Sequence, residues 1–337
     1  RQSGEVHVNA KERFLRIMNY QKVDRIPLIR VEGLSETAAR KWIMEGHLPL
    51  GVNINDVVPY DPWTLHHLDV VPLPTFVSRT IEADDEWTTG IDVHGFTVRT
   101  SRIKSVGEKI YYYLDGPVHD RDDWEKMKKR FDPSHPHRKP PDWSPELFEV
   151  YNSSSGPLGM HACWGPGRSI KNGYMMGLER FMETLAYDTS LASDMFEFWA
   201  DFLIEMARDW VANIKFDFFE FDEDGMGFKN STMVSPETFR KIWAPPMRRV
   251  TEFLRSHGVE LICYKTSGNI RPIIPVLLDI GINMHWPVEC AAGMDVLELR
   301  REFGRDLRLV GGIARQAVMD GIEAVEKEFY RKVPPLM

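Results

Sequence analysis

Four acidic residues crowd into five positions, Glu220, Asp222, Glu223 and Asp224, at the end of an aromatic run, Phe216 to Phe221. On a strand, residues 220 and 222 face one side and 221 the other, so two carboxyl groups share one space. Crowded carboxyls raise one another's pKa and yield a general acid, or else they hold a cation. Lys265 stands two residues after Cys263 and two before Ser267, on one face of a second β-like run, Val259 to Tyr264. A partly buried lysine there serves as an acid, a base or an anchor for an anion. His285 and Glu289 flank Trp286-Pro287 at the end of a third run, Ile282 to Trp286. Histidine titrates near neutrality; Glu289 orients it, or both join Asp222 around a metal. Asp222, Lys265, His285 and Glu289 are therefore the catalytic candidates. Glu220, Ser267, Asn269, Trp164 and Trp286 are candidates for holding a substrate, the tryptophans as flat walls for an aryl ring.

Other chemistry-bearing residues have plainer readings. Glu223 and Asp224 read as a solvated loop closed by Gly225. His66, His67, His135 and His137 fall in proline-rich connectors and read as exposed. Cys163 and Cys290 read as small apolar core residues.

The elements that must position these groups repeat in order from about Pro157. Ser235-Pro236 opens a helix, serine as N-cap and proline at the first helical position, and apolar residues recur at helical spacing to Gly258. Helices around Ile273 to Leu278 and Asp295 to Phe303 follow the next two strands. Leu307 to Val310 is a further strand, leading to Gly311-Gly312, and a last helix covers Gln316 to Tyr330. Such alternation indicates parallel strands joined by right-handed crossovers. The chain has no G-x-G-x-x-G after a strand and no phosphate-binding P-loop, so a TIM (β/α)8 barrel is favoured over an open nucleotide-binding sheet. The expectation is one barrel domain over residues 1–337. The first half is less regular: a helical extension from Ala10 to Tyr20, a first barrel strand at Pro27 to Val31, and an amphipathic stretch, Glu36 to Glu45. A proline-rich segment, Pro59 to Pro74, precedes an insertion at about 80–145. That insertion combines an antiparallel hairpin or small sheet, Glu82 to Tyr113, with an extended connector, Asp132 to Pro145.

Composition narrows the class. The chain has 337 residues, 43% hydrophobic and 27% charged, enough for a large core. Three cysteines argue against a disulfide scaffold and suit a reducing cytoplasm. A net charge of −8 disfavours a nucleic-acid partner. No apolar run approaches the roughly 20 residues that cross a bilayer, so no membrane partner is expected.

Several segments together bring a family into view. The opening KERFLRIMNYQKVDRIP resembles the start of the uroporphyrinogen decarboxylase superfamily, which includes corrinoid-linked methyltransferases. ETAARKWIMEGHLP, DEWTTGIDV, DEDGMGFKNSTMVSPETFRKIWAPP, YKTSGNI, HWPVECAAGMDVLELRREFG, LVGGIARQAV and KVPPL follow one branch of it in order. The resemblance implies a TIM barrel with its pocket at the C-terminal strand ends. It also implies one more strand after KVPPL, so the last barrel strand is expected to be missing from this chain. The decarboxylases proper carry an arginine-rich F-M-R-Q-A-G-R loop after the first strand. Here IPLIRVEGLS offers a single Arg30 and an acidic Glu32, both candidates for substrate contact. The zinc methyltransferases carry H-x-C-G at a late strand end, where this chain has Lys265-Thr266-Ser267-Gly268. Zinc is therefore not expected there, and a fixed lysine charge stands in its place. The resemblance implies a methyltransferase that moves a methyl group between a small methylated compound and cobalamin carried by a partner corrinoid protein, with no tightly bound cofactor. A homodimer stays open. A uroporphyrinogen decarboxylase-like carboxy-lyase and a non-catalytic ligand-binding relative are the alternatives.

Overall fold

The computed structural model describes residues 8–29, 36–52, 57–102 and 110–337. In chain order a parallel strand β1 (Thr64–His67) comes first. Four antiparallel strands follow: β2 (Arg79–Ala83), β3 (Trp87–Ile91), β4 (Thr97–Ser101) and β5 (Tyr111–Asp115). Five more parallel strands are β6 (Leu158–Cys163), β7 (Phe218–Asp222), β8 (Leu261–Lys265), β9 (Met284–Val288) and β10 (Arg308–Gly311). The described residues thus form a six-stranded parallel sheet, order β1-β6-β7-β8-β9-β10, and a separate antiparallel sheet, β2-β3-β4-β5. Helices join the parallel strands, so the architecture is α/β, as the alternating pattern predicts.

Each parallel strand separates two layers. Outward residues such as Leu158, Met160, Phe219, Phe221 and Ile262 meet the helices in the main core. That core includes twelve buried residues of the 25-residue helix Thr189–Asn213. The antiparallel sheet joins it through Phe96 and Val98. Inward residues form a second cluster: Phe218, Leu261, Cys263 and Met284 with Phe14 and Met18 of the first helix, Ala10–Met18. Leu65 of β1 and Val310 of β10, from opposite ends of the strand order, pack against that same cluster. The inward face is therefore the inside of a curl.

The first helix plugs this face from the N-terminal side. Asn9 caps it, accepting the Glu12 N–H at 2.8 Å. Arg13, 6% exposed, donates to Asp24 and to Asp61 and thereby ties the helix to the segment before β1. The Phe14 ring lies 5.6 Å from Phe218 and 5.9 Å, edge-on, from Trp63.

Several elements differ from the sequence expectation. Of the expected first strand, Pro27 to Val31, the described part makes a single parallel bridge, Ile29 to Asp61; residues 30 and 31 lie outside the described residues. β1 comes from the stretch that reads as a proline-rich connector, because Pro62 and Pro72 bracket nine proline-free residues. The helix opened by Ser235-Pro236 contains a π-helical stretch, Phe239–Trp243, before Ala244–Ser256. Pro245 and Pro246 have no N–H to continue the α pattern. The expected last helix divides at Gly321 into Arg315–Asp320 and Ile322–Lys332. Among the described residues no helix is long and apolar enough to cross a membrane.

Phe14 is 1% exposed and bridges the first helix to the inward face. Phe14→Ala is expected to cost about 3–5 kcal/mol, read from the urea midpoint. A loss below about 1 kcal/mol would show that the helix does not plug this face.

Candidate active site

The parallel register arranges the inward side chains in rows across the sheet. The lowest row is Leu65, Gly159, Phe218 and Leu261. Gly159 is required there, because the Phe218 ring occupies the place of a Cβ. The next row is His67, His161, Glu220, Cys263 and Met284, and the uppermost is Cys163, Asp222, Lys265 and Trp286. The inward face therefore grades from apolar to ionisable toward the C-terminal strand ends, the end at which α/β sheets carry their sites.

The groups in these two rows engage one another. His161 Nδ1 donates to Glu220 Oε1 at 2.8 Å, and its Nε2 lies 3.7 Å from Asp222 Oδ2. The Trp286 indole N–H donates to the other Glu220 oxygen. Lys265 Nζ donates to Asp222 Oδ2 at 3.2 Å and sits 5.4 Å from the Trp286 ring centre. The His67 ring is 4.4 Å from that of His161. Glu220 is 1% exposed, so both its oxygens are satisfied by protein donors. Burial opposes the charge on Lys265, but Asp222 and Glu220 outweigh it and hold the ammonium above the usual lysine value. Burial pushes the Cys163 thiol up to about 12.

Of the sequence candidates, Glu220, Asp222, Lys265 and Trp286 come together here. His285 does not. It points to the opposite face of β9, 1% exposed, and Nδ1 donates to the Tyr264 carbonyl at 3.0 Å. The period-two alternation that brings Trp286 inward sends His285 outward. Trp164 is also outside the group: fully buried and stacked against Phe196, it belongs to the core between sheet and helix and lines no opening. Glu289 accepts the Gly268 N–H at 2.7 Å and so fastens the loop after β8. Asn269 spans three loops: its N–H donates to Phe228, its side-chain N–H to Ala292, and its side-chain oxygen accepts from Arg271. Ser267 is exposed on that loop. Gly227 and Gly268 touch backbone to backbone, leaving no room for a Cβ on either. Arg30 and Glu32 lie outside the described residues.

Glu223 is not the solvated loop residue that its neighbours suggest. It is fully buried, accepts from the Tyr174 hydroxyl at 2.7 Å and the Ile170 N–H at 2.8 Å, and burial drives its pKa well above the carboxylate range. It anchors the glycine-rich loop after β6. Asp224 pairs with Lys171 on the surface. His66 is no exposed connector residue either: it packs on Trp210, ring centres 3.7 Å apart. His161 is the residue that sequence reasoning missed. Its signal is the alternation His161-x-Cys163 just before Trp164, which acquires meaning once a partner strand puts Glu220 beside it.

Zinc at the late-strand position implied by the family resemblance does not fit. There Lys265 offers an ammonium directed at Asp222, Ser267 is exposed, and Gly268 has no side chain.

No protein-family model matches the sequence, and no curated protein matches it. Among solved structures, a methyltransferase from Methanosarcina mazei is similar, with a TM-score of 0.52 and 14% identity over 90% of this chain and 83% of that one. At that identity the likeness concerns the fold.

Burial holds His285 near pH 4, against an ordinary 6.5, and His66 near 4 as well, through burial and the neighbouring His67. Between those values only the unfolded chain takes up the protons, so stability falls as pH drops from about 6.5 toward 4. His285→Asn keeps a donor for the Tyr264 carbonyl and does not titrate. It is expected to recover on the order of 2 kcal/mol of the acid loss, measured as urea midpoints at pH 7 and pH 4.5. Equal acid losses in both proteins would show that His285 is protonated in the folded state.

Proposed function

We propose that this chain is a methyltransferase-like enzyme of the corrinoid-linked branch of the uroporphyrinogen decarboxylase superfamily. It moves a methyl group between a small methylated compound and a corrinoid protein. In this reading the curled parallel sheet is part of a (β/α)8 barrel, and the Lys265 row is its mouth. Three observations support it: the ordered segment resemblance, the fold likeness to a methyltransferase, and the Asp222–Lys265 pair beneath an open strand end. The third carries the chemistry.

A methyl ether gives up its methyl group only if the carbon–oxygen bond breaks with its electron pair left on oxygen, and an alkoxide or phenoxide leaves poorly without a proton. Lys265 supplies that proton. Asp222 holds the ammonium at the mouth, and the Trp286 ring beside it walls the substrate. Phenol and lysine have similar ordinary pKa values, near 10; because Asp222 and Glu220 hold the Lys265 ammonium above its ordinary value, transfer to a leaving phenolate runs uphill and is driven by the breaking carbon–oxygen bond. Glu220 and His161 position the pair from below. A corrinoid, when presented, supplies or takes up the methyl group. Fit for such a large apolar ring is offered by Phe228, 54% exposed after β7, and Ile313, 37% exposed after β10. A decarboxylase acting on a polycarboxylate needs many cations, and among the described residues near this mouth Lys265 is committed to Asp222.

Mixing the protein with cob(I)alamin and a panel of methoxyarenes is expected to convert the visible spectrum to that of methylcobalamin. Lys265→Met is expected to slow this by roughly 10²–10⁴-fold. The double variant Asp222→Asn/Lys265→Met removes the orphaned carboxyl and is expected to stay equally slow while recovering stability. No cobalt-state change with any methyl donor, or full activity in Lys265→Met, would overturn the reading.

A further inference from the structure

The upper rows contain a set of donors that shares Asp222 with the proton-handling pair and adds two groups which that pair does not hold. One ligand atom each from His161, Cys163 and Asp222 lies within 4.8 Å of the others. The three come from the ends of two adjoining strands, and Cys163 and Asp222 are in direct register. We infer that His161, Cys163 and Asp222 form a binding site for a borderline-soft divalent cation of the zinc or cobalt class.

Three features argue for a ligand rather than a chance meeting. Glu220 accepts from His161 Nδ1, which leaves Nε2 as the free donor atom on the side of Asp222; metal-binding histidines are commonly oriented by such an outer carboxyl. Asp222 gives Oδ2 to Lys265, yet its Oδ1 is buried with no hydrogen-bond partner among the described residues, an arrangement that costs stability unless something occupies it. The donor types, imidazole nitrogen, sulfur and carboxyl oxygen, select zinc or cobalt over magnesium or calcium. Tetrahedral zinc spaces its ligand atoms by roughly 3.3–3.8 Å, so about 1 Å of side-chain rotation closes the set. On binding, the thiol proton of Cys163 passes to solvent and the sulfur takes the cation. Three protein ligands leave a coordination position for a small molecule. The site lies on β6 and β7 and adjoins the Lys265–Gly268 position at the end of β8 through the Asp222–Lys265 hydrogen bond. It is a property of the chain whether or not the protein transfers methyl groups.

Titration of Co²⁺ into the whole, chelator-stripped chain tests it. The expected result is a near-ultraviolet thiolate-to-cobalt charge-transfer band that saturates at one ion per chain. Cys163→Ser abolishes the band, Cys290→Ser keeps it, and His161→Gln and Asp222→Asn each weaken binding by about 10-fold or more. Circular dichroism checks folding. Should Cys163→Ser fail to fold, Asp222→Asn, which keeps the side-chain shape, decides. No charge-transfer band, a band that survives in Cys163→Ser, or unchanged affinity in Asp222→Asn would overturn the inference.

Discussion

A carboxyl group as deeply buried as Glu220 must find donors, and the rest of the upper site follows from how it does so. One oxygen takes the His161 ring and the other the Trp286 indole, so a single side chain on β7 reaches its neighbour β6 and, past β8, the strand β9. Leaving either oxygen unpaired would cost about 1–3 kcal/mol, a large fraction of the stability of an ordinary domain. The same contacts orient His161 toward Asp222 and place Trp286 beside Lys265. Satisfying one buried polar group thus preorganises an entire row.

Around that row the molecule separates positioning from chemistry. Glu289, Asn269 and Glu223 are polar and stand at strand ends, where reactive residues are usually sought. Each is engaged with backbone groups instead: Glu289 with Gly268, Asn269 with three loops, Glu223 with Ile170 and the Tyr174 hydroxyl. Their effect is to hold the loops after β6, β7, β8 and β9 against one another. The backbone contact of Gly227 with Gly268 serves the same end, and it is available only to residues without a side chain.

The family resemblance and the fold likeness address different parts of the molecule. The resemblance comes from short segments in order, several of them loop anchors such as YKTSGNI and HWPVECAAG. The likeness to the Methanosarcina methyltransferase comes from the path of the backbone. Neither bears on the charge balance at the mouth, where two carboxyl groups, one ammonium and an imidazole share a small space. That balance is what the proposed reaction and the proposed cation site draw on.

Local pattern in the chain was sufficient for the alternation of strands and helices, the four late strands to within about two residues, and the shared face of Glu220 and Asp222. These are short-range properties: a period of two, a serine-proline helix start, a glycine stop. Long-range pairing decided the remainder. β1 was obscured by flanking prolines, and His161 was obscured because a lone histidine in an apolar run carries no mark of its partner 59 residues away. His285 and Trp164 show the converse, chemically suggestive residues that alternation and packing turn toward the core. Which side of a strand faces the interior is set by the neighbours it pairs with and by the helix that plugs the curl. Those contacts join residues far apart in the chain, so they exist only once it has folded.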